Sequence, residues 1–200
     1  MLKNFLIGIP VRNFENPMSR LEDILTVEKR VELSKGMFKN IVKSFKNDDT
    51  KIVCISNDAL VIDYCKNNEI ETFSSNKNGL NSELEEFLDS YEYEYWTICH
   101  ADLPYLNNFY AQEWIKECKS SQIVICSSKD QGTPLLGGNF KIKKLIYGEN
   151  SFDNHMKIFL QENLKIKKSF NKEFSFEIDD EEDFKNFLKN RPRWSKNLEF

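Results

Sequence analysis

The sequence predicts an α/β protein built on a mainly parallel central sheet with helices on both faces. Two observations carry that prediction. From residue 5 to residue 127, short apolar runs alternate with longer amphipathic ones, the rhythm of strand–helix–strand crossover units. The apolar runs also lack in–out alternation, as expected when helices cover both faces of a sheet. The chain has 200 residues, 40% of them hydrophobic and 13% aromatic, which is enough apolar material for one core. The expected organisation is a single domain over residues 1–190 and a C-terminal tail over residues 191–200.

Phe5–Pro10 reads as the first strand, and a polar loop, Arg12–Glu22, follows it. Thr26 is placed as the N-cap of a helix reaching Phe45, because Val27, Val31, Met37, Phe38, Ile41, Val42 and Phe45 recur on one face. Asn47-Asp48-Asp49 ends that helix. Lys51–Ser56 is a second strand, Asp58–Asn67 a short helix and Ile70–Phe73 a third strand. A polar turn then leads through Gly79-Leu80-Asn81 into a helix carrying Leu84, Phe87 and Leu88. Tyr95–Cys99 is a fourth strand, and Pro104 stops its continuation. A helix near Asn108–Cys118 and a strand over Gln122–Ser127 follow.

After Ser127 the rhythm changes. Thr133–Phe140 reads as a strand, with Pro134 marking an edge or an irregular start. Ser151 is expected to cap a helix reaching Glu162, and Ile166–Ser169 and Phe174–Ile178 read as short strands. Asp179 or Asp180 caps a last helix to Leu188, and Pro192–Phe200 is expected to run over the surface.

Composition removes several function classes. The formal net charge is −4 and the isoelectric point is near 5.4, which argues against a nucleic-acid binder that relies on bulk charge. No apolar run approaches the roughly 18 residues of a membrane helix. Phe5–Val11 is short and interrupted by Gly8 and Pro10, a poor signal peptide. The five cysteines are odd in number and form no C-x-x-C pair, which disfavours structural zinc and a disulfide framework. They read instead as buried, inert thiols. The two histidines cannot build a multi-histidine metal site. A reducing cytoplasm is the expected compartment. No nucleic-acid or membrane partner is expected, and the oligomeric state stays open, a homodimer included.

In a parallel α/β sheet, ligands bind beyond the carboxyl ends of the strands. The loops there hold Pro10-Val11-Arg12 with Ser19-Arg20, then Gly79-Leu80-Asn81, then Asp102, and Thr133. Asp102 follows an apolar strand directly and either works chemically or caps a turn. Glu177 and Asp179 flank Ile178; on a strand both carboxylates would face one way and suit a hard divalent cation. Asp180 to Asp183 suit the first turn of a helix. Arginine is scarce, 5 against 23 lysines, and Arg12 and Arg20 both fall in the first loop. They are candidate phosphate contacts or solvated loop charges. Gly148-Glu149-Asn150-Ser151 opens a helix, either as an anion pocket or as an ordinary helix start. His100 is read as loop scaffold, and His155 as surface or packing.

Taken in order, these segments resemble the 2-phospholactate guanylyltransferase family, within the wider MobA-like, sugar-nucleotidyltransferase-like group. The landmarks are I-P-V-R (9–12) with S-R-L (19–21), G-L-N (79–81), A-D-L-P (101–104), G-T-P-L-L (132–136) with G-E-N-S-F-D-N-H (148–155), and E-I-D-D-E-E-D-F (177–184). The resemblance implies a Rossmann-like three-layer sandwich and a Mg²⁺-dependent guanylyltransferase of deazaflavin coenzyme biosynthesis. It implies that Asp102, Glu177 and Asp179 hold Mg²⁺ and that Arg12 and Arg20 contact phosphates. Pro10, Val11, Gly79, Leu80 and Asn81 would contact the nucleotide, and Thr133, Gly148 and Ser151 the phospho-acid. The implied substrates are GTP and 2-phospholactate, phosphoenolpyruvate or 3-phosphoglycerate. The chain departs from the family pattern at four positions: Met18 stands for a usual Lys, Arg12 for Lys, Glu177 for Asp and Pro134 for Asn. The alternatives are a relative using CTP, UTP or a sugar phosphate, and a nucleotide-binding relative without catalysis.

Overall fold

Residues 4–200 are described by a computed structural model. Seven strands form one sheet: β1 (Phe5–Pro10), β2 (Thr50–Ile55), β3 (Glu71–Phe73), β4 (Tyr95–Cys99), β5 (Ile123–Cys126), β6 (Leu135–Gly138) and β7 (Ile166–Ser169), in the order β3-β2-β1-β4-β6-β5-β7. The β1–β2, β1–β4, β2–β3 and β5–β7 pairs are parallel, whereas β6 runs antiparallel to β4 and β5. β6 is therefore an interior strand, not an edge. Pro134 precedes its first ladder residue, so the missing N–H costs no pairing, and the Pro134 carbonyl accepts from the His100 N–H at 2.9 Å. Gly138, at φ +154°, would carry a Cβ only 2.0 Å from the Gln122 carbonyl oxygen, so this close approach of β6 to β5 requires glycine.

The helices are α1 (Val27–Phe45), α2 (Ala59–Asn67), α3 (Leu80–Asp89), α4 (Asn108–Ser120), α5 (Ser151–Gln161), α6 (Lys172–Ser175) and α7 (Glu181–Lys189). Thr26, Asp58, Asn107 and Asp180 cap α1, α2, α4 and α7 by accepting from backbone N–H groups. Alternate residues of β1 feed opposite cores. Phe5, Ile7 and Ile9 pack with Phe38, Ile41 and Phe45 of α1 and Trp114 of α4. Leu6 packs on the other face with Leu84 and Phe87 of α3 and Phe159 of α5. Both faces are apolar for this reason, which explains the missing alternation in the sequence. All five cysteines are buried and free.

Two expectations need correction. Phe174–Ile178 is not a strand. Asn171 caps the short α6 through the Glu173 N–H at 3.1 Å, and residues 176–180 then run without a ladder partner. Ser151 is the first residue of α5 rather than its cap, because Asn150, at φ 51°, holds that place. Pro192–Phe200 keeps to the surface, with Arg193, Lys196, Asn197 and Glu199 exposed, but it is anchored there. Trp194, Leu198 and Phe200 pack on Leu33, Met37, Phe184 and Phe187, and the Trp194 Nε1–H donates to the Pro104 carbonyl at 2.8 Å. Among the described residues, no helix is long and apolar enough to cross a membrane.

Candidate active site

The strand order reverses at β1, with β2 on one side and β4 on the other, which is where open α/β sheets bind ligands. A cavity of about 700 Å³ opens beyond the carboxyl ends of these strands. Its walls include Pro10, Val11, Arg12, Arg20, Leu80, Asp102, Thr133, Gly148, Ser151, Glu177 and Asp179, so most of the sequence candidates meet there.

The first loop reaches the cavity because its interior is anchored. Arg30 of α1 is buried and donates to the Pro17 carbonyl at 2.7 Å. Met18 follows in a left-handed conformation (φ 52°). The 3₁₀ turn Ser19–Leu21 then buries Leu21 and leaves Arg20 exposed on the cavity wall.

The acidic wall forms by a similar division of labour. Ile178 is buried in the third apolar cluster, and its N–H donates to the Asp102 carbonyl at 3.3 Å, joining the two acidic segments. The flanking Glu177 and Asp179 line the cavity. Ligand atoms of His100, Asp102 and Glu177 lie within 4.8 Å of one another. Glu177 Oε1 stands 2.6 Å from His100 Nδ1. Burial opposes the His100 charge, but Glu177, Asp102 and Asp179 outweigh it and raise the pKa to about 9. Burial first, and the Glu177 charge second, push Asp102 up to about 7 and Asp179 to about 6. Asp102 Oδ1 is buried without a hydrogen-bond partner. A crowded carboxylate with an orphaned oxygen is what a hard divalent cation would relieve, and the oxygen donors suit one. The residues present therefore fit a divalent metal. His100, read from sequence as scaffold, belongs to this cluster.

A group of hydroxyls around a second histidine adjoins the acidic cluster, and Asp130 and Glu149 line the same cavity. The Thr133 hydroxyl lies 3.0 Å from that of Ser151 and 3.1 Å from His155 Nδ1. His155 is fully buried. The three residues before Gly148 are held by side chains. Leu145 N–H donates to Glu85 Oε1 at 2.8 Å, Ile146 N–H to His155 Nε2 at 2.9 Å, and Tyr147 N–H to Asn81 Oδ1 at 2.6 Å. Asn81 Nδ2 returns a bond to the Tyr147 carbonyl at 3.1 Å. Asn81 is thus occupied with Tyr147 instead of facing the cavity, and Gly79 lies outside the lining as well. Gly148 sits at φ +131°, which a side chain rarely adopts. Tyr147 lines the cavity with a buried, unpartnered hydroxyl, its ring 5.5 Å from that of His100 and 5.0 Å from that of His155. Sequence reasoning missed Tyr147 and His155; the one local sign was His155 four residues after Ser151, one helical turn away.

The sequence model described as "Guanylyl transferase CofC like" matches residues 5–196. The chain belongs to this CofC-like family. Among its relatives, the 2-phospho-L-lactate guanylyltransferase of Methanocaldococcus jannaschii is 30% identical over 161 residues, covering 78% of this chain and 70% of that protein. The enzyme of the same name from Methanosphaera stadtmanae is 26% identical over 166 residues, covering 79% and 72%. Solved structures share the fold at low identity. A nucleotidyl transferase from Methanothermobacter thermautotroptrophicus superposes with a TM-score of 0.64 at 8% identity, covering 94% of this chain and 99% of that one. The 4-diphosphocytidyl-2C-methyl-D-erythritol synthase of Anaerococcus prevotii gives 0.63 at 12% identity, covering 94% and 97%.

Proposed function

We propose that this chain is a Mg²⁺-dependent guanylyltransferase that moves GMP from GTP onto the phosphate of a small phospho-acid, releasing pyrophosphate. The observation that carries the reading is the meeting of three groups in one cavity: Asp102, Glu177 and Asp179, the Thr133–Ser151 hydroxyls, and Arg12 and Arg20 of the first loop. The family relatives named 2-phospho-L-lactate guanylyltransferase support the nucleotide and make 2-phospholactate the first acceptor to test. Phosphoenolpyruvate and 3-phosphoglycerate follow, since each also joins a phosphate to a carboxylate.

In this reading an acceptor phosphate oxygen attacks the α-phosphorus of GTP in line, a P–O–P bond forms, and pyrophosphate leaves with the electron pair of the broken bond. The acceptor is already ionised near neutral pH, so no general base is needed. The barrier is repulsion between anions. Asp102, Glu177 and Asp179 would hold the divalent ion, which neutralises triphosphate charge when bound. Arg12 and Arg20 neutralise phosphate charge from the first loop. Pro10, Val11 and Leu80 border the nucleotide space, with Gly79 and Asn81 shaping it from behind. Thr133, Gly148 and Ser151 hold the acceptor and fix its angle of approach, which converts an encounter into a positioned reaction. Met18 on the cavity wall offers no charge and Pro134 is buried outside the lining, so acceptor discrimination falls to the hydroxyls.

The test is a pyrophosphate-release assay crossing GTP, ATP, CTP and UTP with the three phospho-acids, with Mg²⁺ and with EDTA. Turnover restricted to GTP, a phospho-acid and Mg²⁺ is expected. A preference for CTP or UTP with a sugar phosphate would move the chain to a different branch of the fold, and binding without turnover would make it a nucleotide-binding relative.

A further inference from the structure

The hydroxyl wall contains a proton arrangement that the bonds around His155 determine. The Ile146 backbone N–H can only donate, and it points at His155 Nε2 from 2.9 Å. Nε2 must therefore accept, so the neutral ring carries its proton on Nδ1. Burial and the charge of His100 keep the ring neutral, its pKa lowered to about 4. The Nδ1–H faces Thr133 Oγ1 at 3.1 Å, with the Ser151 backbone also bonding the ring, so Thr133 cannot donate to Nδ1. Thr133 is fully buried and its other partner is Ser151 Oγ at 3.0 Å. Were Ser151 to donate to Thr133, the Thr133 proton would be left buried with no acceptor, which is unfavourable. Thr133 therefore donates to Ser151, and the Ser151 proton is turned outward. Ser151 lines the cavity.

We propose that His155 is a positioning residue that orients the Thr133–Ser151 hydroxyl pair so that Ser151 presents an O–H donor to an anionic oxygen in the cavity. This rests on the reading that a phospho-acid lies against this wall. His155 touches no substrate; it selects for an acceptor oxygen by setting which way two hydroxyl protons point. Without it the pair can reverse, and Ser151 then offers a lone pair, which repels an anion.

Two variants separate the roles of the two ring nitrogens. His155→Gln keeps an acceptor near Ile146 and removes the donor to Thr133, whereas His155→Asn keeps a donor near Thr133. A bond to a charged oxygen corresponds to about a tenfold change or more in affinity. His155→Gln is expected to raise the KM for the phospho-acid about tenfold with the KM for GTP unchanged, and His155→Asn to recover most of that loss. In a Ser151→Ala background, His155→Gln is expected to add nothing further. Equal rises for both substrates, or effects of the two changes that multiply, would overturn the proposal. Two readouts do not depend on turnover. Nitrogen-15 NMR of histidine-labelled protein is expected to show His155 protonated on Nδ1, and a proton on Nε2 refutes the relay outright. Calorimetric binding of inorganic phosphate is expected to weaken about tenfold in His155→Gln; unchanged binding refutes the relay too. If both readouts come out as expected while no phospho-acid is turned over, the acceptor reading fails and the relay stands.

Discussion

Replacing Asp102 by Asn should make the metal-free protein more stable while abolishing turnover, and the structure sets the size of both effects. Asp102 is removed from water first and crowded by Glu177 and Asp179 second, has one orphaned oxygen, and holds its proton to about pH 7 in the fold against 3.8 ordinarily. That rise corresponds to an upper bound of about 4 kcal/mol on the ionised form. The sign follows from proton counts. Between pH 4 and 7 the folded protein binds more protons at this site than the unfolded chain, so the wild type loses stability as pH rises through that window. The asparagine variant lacks this slope. In EDTA at pH 8.5 it should exceed the wild type by roughly 2–4 kcal/mol, and the two should converge near pH 4. Mg²⁺ should stabilise the wild type and leave the variant nearly unmoved. Urea denaturation across pH, with and without Mg²⁺, measures all of this, and pyrophosphate release measures the lost activity. A variant that is less stable than wild type at pH 8.5 in EDTA, or that turns over normally, would refute the carboxylate-crowding reading.

Three further outcomes follow from the same structure. His155, held near 4 against 6.5 ordinarily, binds fewer protons folded than unfolded between those values; wild-type stability should fall by about 3 kcal/mol as pH drops through the window, a slope that urea titration should find missing in His155→Gln. Trp194→Ala removes a ring packed on Gly36 and Phe187 and a bond to Pro104; it should cost about 2–4 kcal/mol, and an unchanged melting temperature would show that the terminal segment does not contribute. The five cysteines should resist a thiol reagent in the native protein and react together on unfolding, because all are buried; rapid labelling of even one would contradict the packing.

The sheet was legible because its inner strands, such as β1, β4 and β5, are short and largely apolar runs separated by helical periods, and burial on both faces produces that pattern. The cavity was legible because strand-end loops carry ligands in this architecture. Phe174–Ile178 misled because alternating Phe, Ser, Phe, Glu and Ile mimic a half-buried strand, while the capping bond from Asn171 and the absent ladder partner are tertiary facts. The anchoring of the terminal segment was hidden because Trp194, Leu198 and Phe200 are scattered among charges and pack on a cluster drawn from α1, α7 and neighbouring loops. His100 and Tyr147 were opaque because their partners lie far away in sequence: Glu177, 77 residues on, and Asn81, 66 residues back. Asn81 in particular offers a donor and an acceptor that look suited to a base, and both are committed to a backbone.

The most direct test of the central reading is phosphorus NMR of the product formed from GTP and 2-phospholactate with Mg²⁺. Two mutually coupled signals of a new P–O–P linkage, appearing in step with one equivalent of pyrophosphate, are expected. Formation of GDP and inorganic phosphate, or of no new linkage with any phospho-acid, would contradict it.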